Sequence, residues 1–333
     1  MPTRLVVALV SAVLVAAACS RADGPSFDRA SATTTSAPTT TTAPTTTTAP
    51  PPTTAPAGSL VGSRAPAVVS PRGIVVPVLG PDPAGVRVGT PCGATAVLGS
   101  GSPLAGAQVV LDAGHGGDEP GAVGRNNGLT EKVVNFEVTK HARAALERAG
   151  VSVVLTRTAD YRMTLGARTR IATALKPRAF VSVHHNGDPD GPHDGPGSET
   201  YYQVGSADSK RLAGLLYEEI FKAMSQYRVA WVGDTDAGAK YRLNTRGGDY
   251  YGILRQAAGV PTSLVELAFI TNGPEAELLA RPDVQQVEGR AVATGILRYL
   301  NSGDPGSGYV EPYARTTPAG PGGGSSGCQD PAL

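Results

Sequence analysis

The chain has 333 residues, which is enough for one large domain or two modest ones. Hydrophobic residues (41%) and charged residues (17%) occur as in a globular protein, but 42 glycines and 28 prolines are too many for one, so part of the chain must lack a packed core. The net charge of +1 provides no field to steer nucleic acid, which excludes nucleic acid as an expected partner and requires any polymer to bind at a local site.

The N-terminus predicts export. Arg4 precedes an apolar run at residues 5–18, which has the length of a signal-peptide core but falls short of the ~20 residues of a membrane-spanning helix. The run ends in small residues before Cys19, as in a lipoprotein cleavage box, although Ala16 stands where Leu is usual. We therefore expect residues 1–19 to be a signal peptide and Cys19 to carry a lipid anchor on the outer face of the cytoplasmic membrane. The alternative is ordinary signal cleavage and secretion, with Cys19 incidental.

Three further segments differ from a globular core in composition. Residues 20–58 contain a Thr-, Pro- and Ala-rich tract without large apolar side chains, which predicts a disordered stalk. In residues 59–104, short Val-rich runs alternate with Gly and Pro, which predicts a small β-rich appendage and not an independent domain. Residues 303–333 are again rich in Gly and Pro and are expected to form a tail.

Residues 105–302 show alternating strand and helix patterns. Apolar residues recur at helical spacing from Glu131 to Ala149, and Gly150 ends that helix. The alternation predicts an α/β fold with a twisted, mostly parallel sheet and helices on both faces. The predicted strands are 109–111, 151–155, 180–183, 199–203 and 262–267, and the predicted helices are 131–149, 165–175, 212–224, 249–258 and 283–300.

Polar side chains stand at the ends of these elements. His115 and His184 follow two predicted strands, Glu266 lies near the end of a third, and Glu131 opens the first long helix. Each has an ordinary alternative as a loop histidine or a helix-terminal carboxylate, but a carboxylate inside an apolar strand is costly to bury without a partner. Because open α/β sheets bind ligands at the carboxyl ends of their strands, these residues are expected to converge. Two imidazoles and one carboxylate form a zinc-binding set that leaves one position for water.

Six ordered motifs occur in this region. They are Leu-Asp-Ala-Gly-His-Gly-Gly (111–117), Gly-Leu-Thr-Glu-Lys (128–132), Leu-Thr-Arg (155–157) with Asp160, Leu165 and Arg168, Val-Ser-Val-His-His-Asn (181–186), Gly-Ser-Glu-Thr-Tyr-Tyr (197–202), and the segment 261–272 around Glu266. Together they resemble the motifs of the zinc-dependent N-acetylmuramoyl-L-alanine amidases of the amidase-3 type. The resemblance covers roughly residues 109–300.

The resemblance implies an enzyme that hydrolyses the amide between N-acetylmuramic acid and the L-alanine of the peptidoglycan stem peptide. It implies that His115, Glu131 and His184 bind Zn²⁺ and that Glu266 is the catalytic acid/base. We expect a monomer whose partner is peptidoglycan or its muramyl peptides. The alternatives are a zinc peptidase that cuts within the stem peptide and a non-catalytic wall-binding module on the same fold.

Other residues of these motifs are expected to be supporting or peripheral. Arg157 and Arg168 match the family and are expected to be structural. His185 stands where the family has a small residue, and we expect it on the surface, with the substrate groove as the alternative.

The cysteines make a separate prediction. Three cysteines are too few for a disulfide scaffold and lack zinc-cluster spacing. Lipidation of Cys19 would leave Cys92 and Cys328, one on each side of the core in sequence, and the termini of a domain often lie close together. Since an exported protein meets an oxidising environment, we predict a Cys92–Cys328 disulfide that ties the tail to the appendage.

Overall fold

The computed structural model of the chain describes residues 57–313 and 323–333. The predicted signal peptide, Cys19 and nearly all of the predicted stalk therefore lie outside the described residues. The described residues belong to one compact unit, Pro52–Leu333. Every helix within them is too short or too polar to cross a bilayer.

Residues 58–104 form a six-stranded antiparallel sheet with the strand order β1-β6-β2-β3-β4-β5. Its apolar side packs against the rest of the protein, because Val68, Val76 and Val88 belong to the same apolar cluster as Ile171 and Phe180. The predicted β appendage is thus present and shares a core with the following α/β region. Its strands are β1 (Gly58–Ser59), β2 (Ala67–Val69), β3 (Val75–Asp82), β4 (Gly85–Gly89), β5 (Thr95–Leu98) and β6 (Ser100–Leu104).

The α/β region contains a second six-stranded sheet, with the order β13-β11-β14-β9-β7-β8. Neighbouring strands are parallel except for the antiparallel pair β11/β14, which agrees with the predicted mostly parallel sheet. β10 and β12 form a separate two-stranded ribbon. The strands are β7 (Val109–Ala113), β8 (Val153–Leu155), β9 (Ala179–Asn186), β10 (Gly191–Pro192), β11 (Glu199–Tyr202), β12 (Val232–Gly233), β13 (Ala239–Lys240) and β14 (Thr262–Phe269).

Helices cover both faces of this sheet. Alternate strand residues point to opposite faces, so Leu111 and Val183 pack in one apolar cluster with α1, α3 and α6. Val110 and Leu264 pack in the other cluster, with α2, α4 and the N-terminal sheet. The helices are α1 (Glu131–Arg148), α2 (Leu165–Leu175), α3 (Ala207–Met224), α4 (Gly252–Gln256), α5 (Gly273–Leu279) and α6 (Pro282–Asn301).

Two helix predictions are wrong in extent, and one helix was not predicted. α3 begins at Ala207 and not at residue 212, because the Ser206 hydroxyl accepts a hydrogen bond from Ser209 N and starts the helix in a polar turn that apolar periodicity does not reveal. α4 is shorter than predicted. The helix that was not predicted is α5, which is separated from the end of β14 by three residues and has Pro274 in its first turn.

The predicted disulfide is present: Cys92 and Cys328 are bonded, with their Cα atoms 5.6 Å apart. The last residues of the chain are also held by polar contacts. The Asp330 carboxylate accepts hydrogen bonds from Cys92 N at 2.7 Å and from the Thr90 hydroxyl at 2.8 Å. Leu333 packs at the edge of the apolar cluster that contains the N-terminal sheet. The tail therefore docks mainly through polar groups, in keeping with its lack of apolar side chains.

We expect Cys92 and Cys328 to resist thiol labelling in the unreduced protein and to react after reduction. A Cys19→Ser background removes the third thiol from the assay. Because the described tail residues add few apolar side chains to the core, breaking the bond should lower the free energy of unfolding by much less than the ~5 kcal/mol that loop entropy alone would give. Labelling of both cysteines without reductant would show that no bond forms in solution.

Candidate metal centre

His115, Glu131 and His184 lie together at one edge of the central sheet. His115 Nε2 is 3.1 Å from Glu131 Oε2, and His184 Nδ1 is 2.9 Å from Glu131 Oε1. One ligand atom from each residue lies within 4.8 Å of the other two. His115 follows β7, His184 lies near the end of β9, and Glu131 is the first residue of α1. The structure thus places the two histidines at the carboxyl ends of the adjacent parallel strands β7 and β9, with Glu131 at the start of α1 beside them.

Glycines make room for this arrangement. A Cβ on Gly114 would stand 2.2 Å from the His184 ring, and one on Gly121 would stand 2.4 Å from Glu131 Oε2. His115 itself has a φ of 61°, a left-handed conformation that is uncommon for a residue with a side chain. Such strain persists only where the surroundings impose it, and it clusters at functional sites.

Two buried arginines hold the turn before His115. Arg168 donates hydrogen bonds to Ala113 O and His115 O, both at 2.7 Å, and pairs with the buried Asp112 carboxylate at 2.7 Å. Arg157 donates from Nε to Ala113 O at 2.9 Å. Burial lowers the pKa of Arg157 to about 10. These contacts agree with the structural role expected for both arginines.

Backbone and side-chain donors fix the Glu131 carboxylate. Ala122 N donates to Oε2 at 2.8 Å, while His185 N at 3.2 Å and Asn135 Nδ2 at 3.1 Å donate to Oε1. Burial alone would raise the pKa of Glu131, but hydrogen bonds with His115 and His184 hold that pKa well below its usual value. Glu131 is therefore ionised at neutral pH.

The two imidazoles differ in their environment. Burial lowers the pKa of His184 despite its hydrogen bond with Glu131. Burial acts in the same direction on His115, but the hydrogen bond and charge of Glu131 outweigh it and raise that pKa. Two nitrogen donors and one ionised carboxylate, without a thiolate or a second carboxylate, match the ligand set of a catalytic zinc site.

Glu266 lies beside this group. The strand register pairs it with His184 of β9 on one side and with Glu199 of β11 on the other. Its Oε2 atom is buried and has no hydrogen-bond partner among the described residues. Burial, followed by the negative charges of Glu131 and Glu199, raises the pKa of Glu266 well above the usual value. An unsatisfied, proton-retaining carboxyl next to a metal-binding group is suited to proton transfer.

A small cavity opens onto these residues. It has a volume of about 130 Å³, and its lining includes His115, His184, Leu165 and Gly323 of the docked tail. Gly323 is held there by its carbonyl, which accepts from Leu165 N at 3.0 Å. The lining therefore combines both histidines with a residue from the last segment of the chain.

A second acidic group lies one strand away, formed by Glu199, Asp234 and Asp236. Here a buried lysine already supplies the positive charge, because Lys240 Nζ binds the Glu199 carboxylate and is 2.6 Å from Asp236 Oδ1. Burial raises the pKa of Glu199 to about 7. No local pattern in the sequence indicates this contact, since Lys240 and Glu199 are 41 residues apart. We interpret the group as an internal salt bridge.

His185 is neither on the surface nor in the groove, and that expectation is wrong. Its side chain is completely buried, between Asn135 of α1 and Glu288 of α6. β9 continues through Asn186, so the alternation that buries Val181 and Val183 also turns His185 into the same helix-covered face. This alternation was the signal in the sequence that could have located it.

Comparisons with known proteins identify relatives of this fold. A family model described as N-acetylmuramoyl-L-alanine amidase matches residues 109–298. The germination-specific N-acetylmuramoyl-L-alanine amidase of Bacillus subtilis is 31% identical over 218 residues, which cover 61% of this chain and 84% of that protein. The amidase LytC of Bacillus subtilis is 32% identical over 201 residues, which cover 60% of this chain but only 36% of LytC. The crystal structure of an N-acetylmuramoyl-L-alanine amidase from Clostridium difficile 630 is also similar, with a TM-score of 0.51 and 26% sequence identity. The alignment covers 60% of the present chain and 99% of the Clostridium difficile chain.

Proposed function

Because the chain belongs to the N-acetylmuramoyl-L-alanine amidase family, whose model matches residues 109–298, we propose that it is a zinc-dependent peptidoglycan amidase. The bond cleaved is the amide between N-acetylmuramic acid and the L-alanine of the stem peptide. The observation that carries the proposal is the convergence of His115, Glu131 and His184 at one sheet edge, with the half-buried Glu266 next to them and its Oε2 atom buried. These three residues are the proposed zinc ligands, and Glu266 is the proposed acid/base.

The proposed roles follow from the chemistry of amide hydrolysis. Zinc, when bound, would act as a Lewis acid that polarises the carbonyl and lowers the pKa of water to about 7. Glu266 accepts a proton from the water molecule that attacks the lactyl carbonyl and delivers a proton to the departing alanine nitrogen. Its unpaired Oε2 atom is free for both transfers, and its burial makes the carboxyl basic enough to retain the proton between them.

The same proposal includes the location of the enzyme. Peptidoglycan lies outside the cytoplasmic membrane, so the activity requires export, which agrees with the signal-like residues 1–19. We propose that Cys19 carries the lipid anchor and that the protein acts as a monomer. The alternatives are a zinc peptidase acting within the stem peptide and a non-catalytic wall-binding module.

Digestion of purified peptidoglycan distinguishes these functions. We expect intact stem peptides with a new free amino group on L-alanine, identified by mass spectrometry and amino-terminal labelling. A metal chelator should stop their release, and added zinc should restore it. Shortened peptides that remain attached to muramic acid would indicate a peptidase, and an absence of products would indicate a binding module.

A further inference from the structure

A chain of buried polar side chains runs from Glu131 into the interior of the protein. Asn135 Nδ2 donates to Glu131 Oε1 at 3.1 Å, and His185 Nδ1 lies 2.8 Å from Asn135 Oδ1. His185 Nε2 in turn lies 3.3 Å from Glu288 Oε1 on α6. The chain therefore connects the carboxylate of the candidate metal centre to a helix that does not reach the centre itself.

The hydrogen bonds have only one consistent direction at Asn135. Its Nδ2 faces two acceptors, Glu131 Oε1 and Gly114 O, so its Oδ1 must face His185. Because an amide oxygen can only accept, His185 Nδ1 carries the hydrogen in this contact. His185 thereby fixes the rotation of the Asn135 amide, and the amide fixes Glu131 Oε1.

Stability does not explain why these groups are buried. The side chains of His185 and Glu288 are both 0% exposed, and Glu288 Oε2 has no hydrogen-bond partner among the described residues. A buried polar pair of this kind is generally no more stable than apolar side chains of similar volume. If His185 and Glu288 served only to pack α6 against the sheet, apolar side chains at these positions would stabilise the fold at least as well.

We propose that His185 and Glu288 are positioning residues for the metal ligand Glu131. Glu288 holds the His185 ring, the ring orients Asn135, and Asn135 with His185 N holds Glu131 Oε1 in place. Partners behind a metal ligand typically change metal affinity 10–100-fold when they are removed. The inference rests on the proposed metal centre, because it assigns a role relative to Glu131 as a ligand.

The test measures metal binding by the full chain without substrate. Protein stripped of metal is titrated with Zn²⁺ against a competing chromophoric chelator, and the absorption spectrum of the Co²⁺-loaded protein reports the ligand geometry. Glu288→Leu keeps the volume but loses the hydrogen bond, whereas Glu288→Gln retains one. Thr139→Val is the matched control, since Thr139 is buried on the same α1 helix and its hydroxyl has no partner among the described residues.

We expect Glu288→Leu to weaken zinc binding by ~10–100-fold and to change the cobalt spectrum. Glu288→Gln should restore most of the affinity, and Thr139→Val should bind as the wild type does. Wild-type affinity and an unchanged cobalt spectrum in Glu288→Leu would overturn the inference. If Glu288→Leu does not fold, the variants His185→Asn and His185→Phe test the inference instead. Of the two, only Asn can donate a hydrogen bond to Asn135, so His185→Asn must bind zinc more tightly than His185→Phe. Failure of the wild type to bind zinc would instead refute the proposed metal centre.

Discussion

Glu266→Ala is expected to lose hydrolysis of muramyl peptides by ~10²–10⁴-fold in kcat while still binding zinc as the wild type does. The substitution removes the group that moves protons and leaves His115, Glu131 and His184 in place. It also removes a buried carboxyl oxygen that has no partner, so the variant should fold. The measurement is the turnover number on a soluble muramyl peptide, with zinc content determined by elemental analysis on the same samples.

The pH dependence adds an independent check on Glu266. Its pKa is raised by burial and by neighbouring carboxylates, and it must be ionised to accept a proton from water. Activity of the wild type should therefore fall as the pH drops through the pKa of Glu266, and the residual activity of Glu266→Ala should lack that step. Glu277→Ala, at an exposed position on α5, is the control and should behave as the wild type does. Turnover near that of the wild type in Glu266→Ala would refute the assigned role.

His184→Ala is expected to lose stoichiometric zinc and, with it, activity. The ring supplies one of the three proposed ligands, and its removal leaves two ligand residues with an open space at the end of β9. Metal ions contribute several kcal/mol to the stabilisation of charge in such reactions, so the loss of activity should be on the order of 10³-fold or more. His115→Ala should have the same effect. Elemental analysis after gel filtration gives the zinc content.

His141→Ala serves as the control for the loss of an imidazole. His141 lies on α1 and is partly exposed, away from the candidate centre. Zinc content and activity should match the wild type. Equal zinc content in His184→Ala and the wild type would show that His184 is not a zinc ligand. If excess zinc restored full activity to His184→Ala, the ring would contribute only to the affinity for zinc.

The sequence was informative where local pattern and chemistry coincide. Alternation of strand and helix periods predicted the α/β fold, and the apolar runs before His115 and His184 predicted where both side chains would lie. Glu266 was identifiable because a carboxylate in an apolar strand needs a reason to be buried. The Cys92–Cys328 bond was predicted from the expected export to an oxidising compartment and from the positions of the two residues on either side of the core.

The features that could not be predicted depend on contacts between residues distant in sequence or on the exact ends of the strands. The pairing of β1 with β6 joins Gly58 to Gly101, and no local pattern specifies that register. Lys240 finds Glu199 only after the sheet has formed. The predicted surface position of His185 is wrong because the predicted strand ends at residue 183. The strand β9 in fact continues to Asn186, and its alternation buries the His185 ring.

Hydrolysis of a defined muramyl-L-alanyl peptide in ¹⁸O-labelled water tests the central claim most directly. If water guided by Glu266 attacks the lactyl carbonyl, the label appears in the lactyl carboxylate of muramic acid. The released stem peptide then carries a free amino group on L-alanine and no label. Label in a carboxylate of the stem peptide, with the muramic acid amide intact, would contradict the account.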